Sequence, residues 1–222
     1  MVNGHEIFED GKAVERAVAF SYAPMSVRPA LKLMWSLDDR LGDIVGRARG
    51  PFLGEIRLAW WRDQLAGNEV AASEPILNAV RASSLNGQVL AEIAEGWSLA
   101  LASMPLDCQT LEKYAVKRGE SLFGEAARLL GEPRFAPLSD AGIGWALTDF
   151  ADRCANVETG TLARSMAASM LIRGISAHWP KRLRPIGMLA HLALVDSTSV
   201  SPIRRGSPTR TFRMLHHRLT GR

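Results

Sequence analysis

Gly54-Glu55-Ile56-Arg57-Leu58-Ala59-Trp60-Trp61-Arg62-Asp63-Gln64-Leu65 sets two adjacent tryptophans between two arginines. Adjacent residues on a helix project about 100° apart, so at least one of the two rings belongs in a core. Pro51 suits a first helical position, where its missing N–H leaves nothing unsatisfied. Gly67 suits the left-handed residue that ends a helix, and Gly131 does the same after Leu129-Leu130. Outward from this segment, proline and glycine cut the chain into helix-length pieces. Leu111, Ala115, Leu122, Ala126 and Leu129 form one apolar stripe at helical spacing. Ile143, Leu147, Phe150, Cys154 and Val157 form another. Alternating runs rich in β-branched residues are absent, so the spacing predicts an all-α chain of about eight to ten helices.

The 222 residues are 47% apolar and 23% charged, the composition of a globular protein with a sizeable core. No apolar run is long enough to cross a bilayer, and the first residues do not read as a secretory signal. Cys108 and Cys154 form neither a disulfide framework nor a metal-spaced pair. His5, His178, His191, His216 and His217 have no ligand spacing among themselves, and His216-His217 reads as a charged feature of the tail. From Lys181 onward nine basic residues stand against one acid, Asp196, so this end carries +8 and the rest −4. Such an asymmetry points to an anionic contact: an anionic membrane surface, a diphosphate, an acidic partner or nucleic acid. No recognition module accompanies the arginines, so nucleic acid is not expected. Residues 197–222 read as a basic C-terminal tail with a short helix around Phe212 to Leu219, appended to a single helical domain over 1–196.

The tryptophan segment resembles a signature of the squalene/phytoene synthase family, in particular a small bacterial branch similar to the mitochondrial complex I assembly factor. Ala23-Pro24 with Arg28-Pro29-Ala30-Leu31 resembles the family's opening. Pro75-Ile76-Leu77-Asn78-Ala79-Val80, Tyr114-Ala115, Ala126 to Gly131, and Gly142-Ile143-Gly144-Trp145-Ala146-Leu147-Thr148 follow in the family's order. The resemblance implies an isoprenoid-synthase-like helical bundle around a central cavity. In the enzymes, carboxylates one turn apart on two opposed helices hold Mg²⁺, which grips a prenyl diphosphate.

The aspartates depart from that pattern. In Leu37-Asp38-Asp39-Arg40-Leu41-Gly42-Asp43-Ile44-Val45-Gly46 only Asp43 survives in one register, and Asp39 with Asp43 in another. In Asp149-Phe150-Ala151-Asp152-Arg153, Arg153 follows four residues after Asp149, and Asn156 four after Asp152. Asp149 and Asp152 lie off the apolar stripe, and Asp149 with Arg153 reads as a helical ion pair, as does Asp43 with Arg47. Asp38 falls inside an apolar stripe, so it must be paired or protonated, with a pair to Arg57 or Arg62 the expected arrangement. Where the enzymes have a small Ala-Gly step, this chain has Lys117-Arg118-Gly119-Glu120.

The expectation is therefore a catalytically degenerate family member with an assembly-factor or scaffold role at a respiratory membrane. It would be cytoplasmic, or peripheral at the inner membrane, with no cofactor. An isoprenoid or lipid in the cavity is a further possible ligand. The alternative is an active Mg²⁺-dependent prenyltransferase condensing prenyl diphosphates, with Asp39, Asp43, Asp149 and Asp152 as its metal ligands.

Overall fold

A computed structural model describes residues 4–48, 50–67, 74–199 and 203–222, with side chains from residue 11 onward. Among these residues there are helices and no strands. The helices are α1 (Gly4–Ser21), α2 (Arg28–Gly46), α3 (Pro51–Leu65), α4 (Pro75–Arg81), α5 (Gly87–Leu99) and α6 (Cys108–Ala115). A π-helical turn, Val116–Glu120, joins α6 to α7 (Ser121–Leu129). Then come α8 (Leu138–Arg153), α9 (Val157–Ile175), α10 (Arg184–Thr198) and α11 (Pro208–Thr220).

Local chemistry sets the boundaries. Proline occupies the first turn of α2, α3, α4, α10 and α11, where no donor is lost. Asn86, Asp107 and Asn156 cap α5, α6 and α9 by accepting a backbone N–H. Gly67 and Gly131 follow α3 and α7 with φ of +82° and +79°, as expected. The Asn156 cap also corrects the sequence reading. The stripe through Ile143, Leu147 and Phe150 stops at Arg153, and Val157 starts a new helix as an exposed residue.

Helix α8 runs through the centre, buried on nearly every side, with α9, the π-turn and α10 as its principal neighbours. Small residues permit this. A Cβ on Gly119 would lie 2.1 Å from the Gly142 carbonyl oxygen, and one on Gly142 would lie 2.4 Å from that of Gly119. The two backbones therefore touch, which no larger residue allows. Around this contact the core is one continuous cluster. Trp35, Trp97 and Trp61 are buried in it, while Trp60 is partly exposed. Helix α11 packs on α10 and is tied back by a hydrogen bond from the Trp179 N–H to the Gly221 carbonyl. The connection before it is shorter than the sequence suggested, since α11 already begins at Pro208; its residues 200–202 lie outside the described residues, as do residues 1–3.

Candidate functional site

The central charge cluster is assembled from α1, α2, the π-turn and α8. A π-turn inserts an extra residue and re-aims the side chains within it. Here it directs Arg118 into the core, where Arg118 and Asp38 are each only 1% exposed. Arg118 donates through Nε and Nη2 to the two carboxylate oxygens of Asp38, at 2.8 and 2.7 Å. The same Nη2 donates to Asp149 Oδ2 at 2.8 Å, and Nη1 to the Tyr114 hydroxyl at 2.7 Å. Its guanidinium also lies 4.1 Å from the centre of the Trp97 ring and 4.9 Å from that of Trp145. Trp97 Nε1 completes Asp38 with a 2.8 Å bond to Oδ1.

Asp149 is equally occupied. Lys12 Nζ donates to Oδ1 at 2.6 Å, and Arg153 Nε to Oδ2 at 3.0 Å. Burial works against its charge, but Arg153, Lys12 and Arg118 outweigh that and hold its carboxyl well below the ordinary carboxylate range. Arg16 grips Asp39 with both Nη atoms, at 3.0 and 2.6 Å. Asp152 receives Arg205 at 2.5 Å and has Lys12 at 3.6 Å. Beside it, Arg210 is fully buried between Glu15 and Asp196. The cleft between these groups has a volume of about 50 Å³, room for one or two waters. Its lining contains five cationic and five acidic side chains, so the charge is balanced within the chain.

The four expected ligands are thus divided. Asp39, Asp149 and Asp152 line this cleft. Asp43 lines a different groove beside α3 and pairs with Arg47 at 3.2 Å. The Asp149–Arg153 and Asp43–Arg47 pairs match the sequence reading. Three expectations need correction. Asp38 pairs with Arg118, not with Arg57 or Arg62; Arg62 binds Asp63 and Arg57 is exposed on α3. Asp149, read as lying off the apolar stripe, is nonetheless buried, because α8 is enclosed on nearly every side. His217 is fully buried against Trp179 and His191, and burial keeps it neutral, so it is not a charged tail feature.

As a donor set for Mg²⁺ the cluster fits poorly. Every oxygen of Asp38, Asp39 and Asp149 already accepts from a donor of the chain. A divalent ion about 4 Å from one guanidinium would meet repulsion of roughly 8 kcal/mol at an effective dielectric constant near 20. Among the described residues, no group of three or more His, Cys, Asp or Glu side chains is arranged to hold a metal.

The basic end is also largely committed internally. Arg184 is buried and donates to the carbonyls of Trp179, Arg218 and Leu219, capping the end of α11. With Arg205 and Arg210 in ion pairs, part of the +8 is neutralised. Arg204, Arg213 and Arg222 remain exposed, as do the side chains of Phe212 and Leu219. No described helix is long and apolar enough to cross a membrane. No family model matches the chain, and no curated protein matches its sequence.

Proposed function

We propose that this chain is a catalytically degenerate member of the squalene/phytoene synthase family. It would keep an isoprenoid-synthase-like helical shell and act as an assembly factor or scaffold at a respiratory membrane. The observation that carries this reading is Arg118, which bridges Asp38 on α2 and Asp149 on α8. Opposed carboxylates on two helices are the arrangement the resemblance implies for a metal–diphosphate clamp. Here fixed guanidinium and ammonium groups stand between them. The 50 Å³ cleft is far below the roughly 300–1,000 Å³ of a pocket that takes a small organic ligand, so a prenyl chain has no room between these side chains. The scaffold role itself rests on the resemblance.

The test is incubation with farnesyl and geranylgeranyl diphosphate plus Mg²⁺, with diphosphate release as the readout. The expected result is no release above the protein-free control, and no Mg²⁺ binding by calorimetry at millimolar ion. Turnover that disappears in Asp149→Ala would establish the alternative, an active prenyltransferase. That second reading is favoured by one observation: Asp39 does face Asp149 and Asp152 across a common cleft.

The peripheral-membrane part of the proposal rests on Arg204, Arg213 and Arg222 with Phe212 and Leu219. An exposed cation near an anionic surface contributes about 1 kcal/mol, so three give weak, salt-sensitive binding. Sedimentation with phosphatidylserine vesicles is expected to retain the protein at low ionic strength and release it at physiological salt. A triple Arg→Gln variant at 204, 213 and 222 that sediments as well as the parent would remove this part.

A further inference from the structure

Helix α3 is apolar on two opposite sides. Gly54, Leu58, Trp61 and Leu65 face the core. On the far side Phe52, Leu53, Ile56 and Trp60 are exposed by 70, 57, 51 and 36%. With side chains of roughly 150–250 Å², those four leave on the order of 400 Å² of apolar surface in water. That is as large as the largest patch on a typical monomer, and such patches mark interaction sites. Beside it, between α2 and α3, runs a groove of about 490 Å³ with Ile56 and Trp60 on one wall and Ile44 on the other.

The charges around this face indicate what covers it. Arg40, Arg47 and Arg57 are matched in number by Asp43, Glu55 and Glu74. Arg57 and Glu55 are exposed, and no described residue pairs with either. An anionic membrane or an acidic segment would select a cationic excess, and among the described residues this rim has none. A surface with equal numbers of both signs around an apolar centre is complementary to itself, the requirement for a twofold interface. The shape agrees. Phe52, Ile56 and Trp60 recur every four residues and form one ridge. Ridges of that type interdigitate with their own kind in the commonest helix–helix packing class.

We infer that the α3 face is the homodimer interface of this protein, occupied by α3 of a second copy. Ile56 lies at the centre, Phe52 and Trp60 flank it, and each copy's Arg57 and Glu55 meet charges on the other.

The test is sedimentation velocity on the full chain across the micromolar range, with circular dichroism and thermal unfolding as controls. The wild type is expected at twice the 24.2 kDa chain mass. Ile56→Arg, which brings two guanidinium groups to the centre, is expected to raise the dimer Kd by about tenfold or more while keeping the helical signal. Phe52→Glu should do the same. Glu55→Arg should weaken the dimer, and Glu55→Arg with Arg57→Glu, which restores the balance, should recover it. Val157→Arg, at an exposed site on α9, should leave the dimer intact. A wild type that is monomeric throughout overturns the inference, as does an Ile56→Arg dimer of unchanged affinity. Vesicle binding that Ile56→Arg abolishes would also overturn it, assigning the face to a membrane.

Discussion

Arg118→Met is expected to lose about 3–5 kcal/mol of folding stability, the cost of removing one partner from a buried ion pair. For a chain of this length that is a fall in Tm of roughly 6–20 °C. The size of the effect comes from what remains behind. Asp149 keeps Lys12 and Arg153, but Asp38 retains only the Trp97 indole, in a site 1% exposed. The carboxylate there then has no guanidinium bonded to it, and only the more distant Arg153 still offsets its charge. The cation–π contacts to Trp97 and Trp145 disappear as well, and Met refills part of the volume without replacing them.

The partner variant separates charge from packing. Asp38→Asn in the Arg118→Met background removes the stranded charge yet keeps an oxygen for Trp97 Nε1. It is expected to recover about 2–3 kcal/mol, and a double-mutant cycle on urea unfolding measures the coupling. Asp43→Ala, which breaks an exposed pair with Arg47, should change stability by less than about 1 kcal/mol. If Arg118→Met cost no more than Asp43→Ala, the central network would not hold the fold together.

The same pair shows what the sequence made legible. Helical spacing and the proline and glycine positions defined an all-α chain, because caps and first-turn prolines are local chemistry. Asp38 was visible as a charge inside an apolar stripe. Its partner was visible too, since Arg118 continues the stripe of Leu111, Tyr114, Ala115 and Leu122. Two opposite charges, each on the apolar side of a different helix, predict each other. Arg57 and Arg62 were expected instead because the tryptophan segment lies closer in sequence, and sequence separation says little about neighbours in a helical bundle. Arg210 follows the same logic: it shares a helix face with Met214 and His217 and meets Glu15, a buried acid of α1. The burial of Asp149 was not legible. An amphipathic pattern assigns one whole side of a helix to solvent, and α8 is buried on nearly every side.

Acidification from pH 7 to pH 5 is expected to destabilise the protein by about 2–4 kcal/mol, through His191 and His217. Their rings lie tilted against each other with centroids 4.1 Å apart between α10 and α11. Burial is the main force pushing His191 down to about 4, helped by His216 and Arg213. Burial likewise pushes His217 down to about 3, with His191, Arg184 and His216 adding to it. In the unfolded chain both titrate near 6.5. Between that value and their folded values the unfolded state binds two more protons than the native state, so stability rises with pH across this window. The contribution is complete above about pH 7 and is lost as pH falls from about 6.5 toward 4 and 3, at up to about 1.4 kcal/mol per pH unit for each ring. Asp149 acts in a separate, lower window. Its depressed folded pKa stabilises the protein above the ordinary carboxylate value near 3.9 and is lost only as pH falls below that. Urea unfolding at pH 7, 6 and 5 therefore reports chiefly on the histidines, with Asp39, whose carboxyl burial pushes up, opposing them at the acid end. His191→Gln removes one of the two titrating rings and should halve the slope, whereas Asp149→Asn should lower stability at all three pH values and leave the slope unchanged. A wild-type stability that is flat from pH 7 to 5 would mean that these rings take up protons in the native state, with α11 no longer packed against α10.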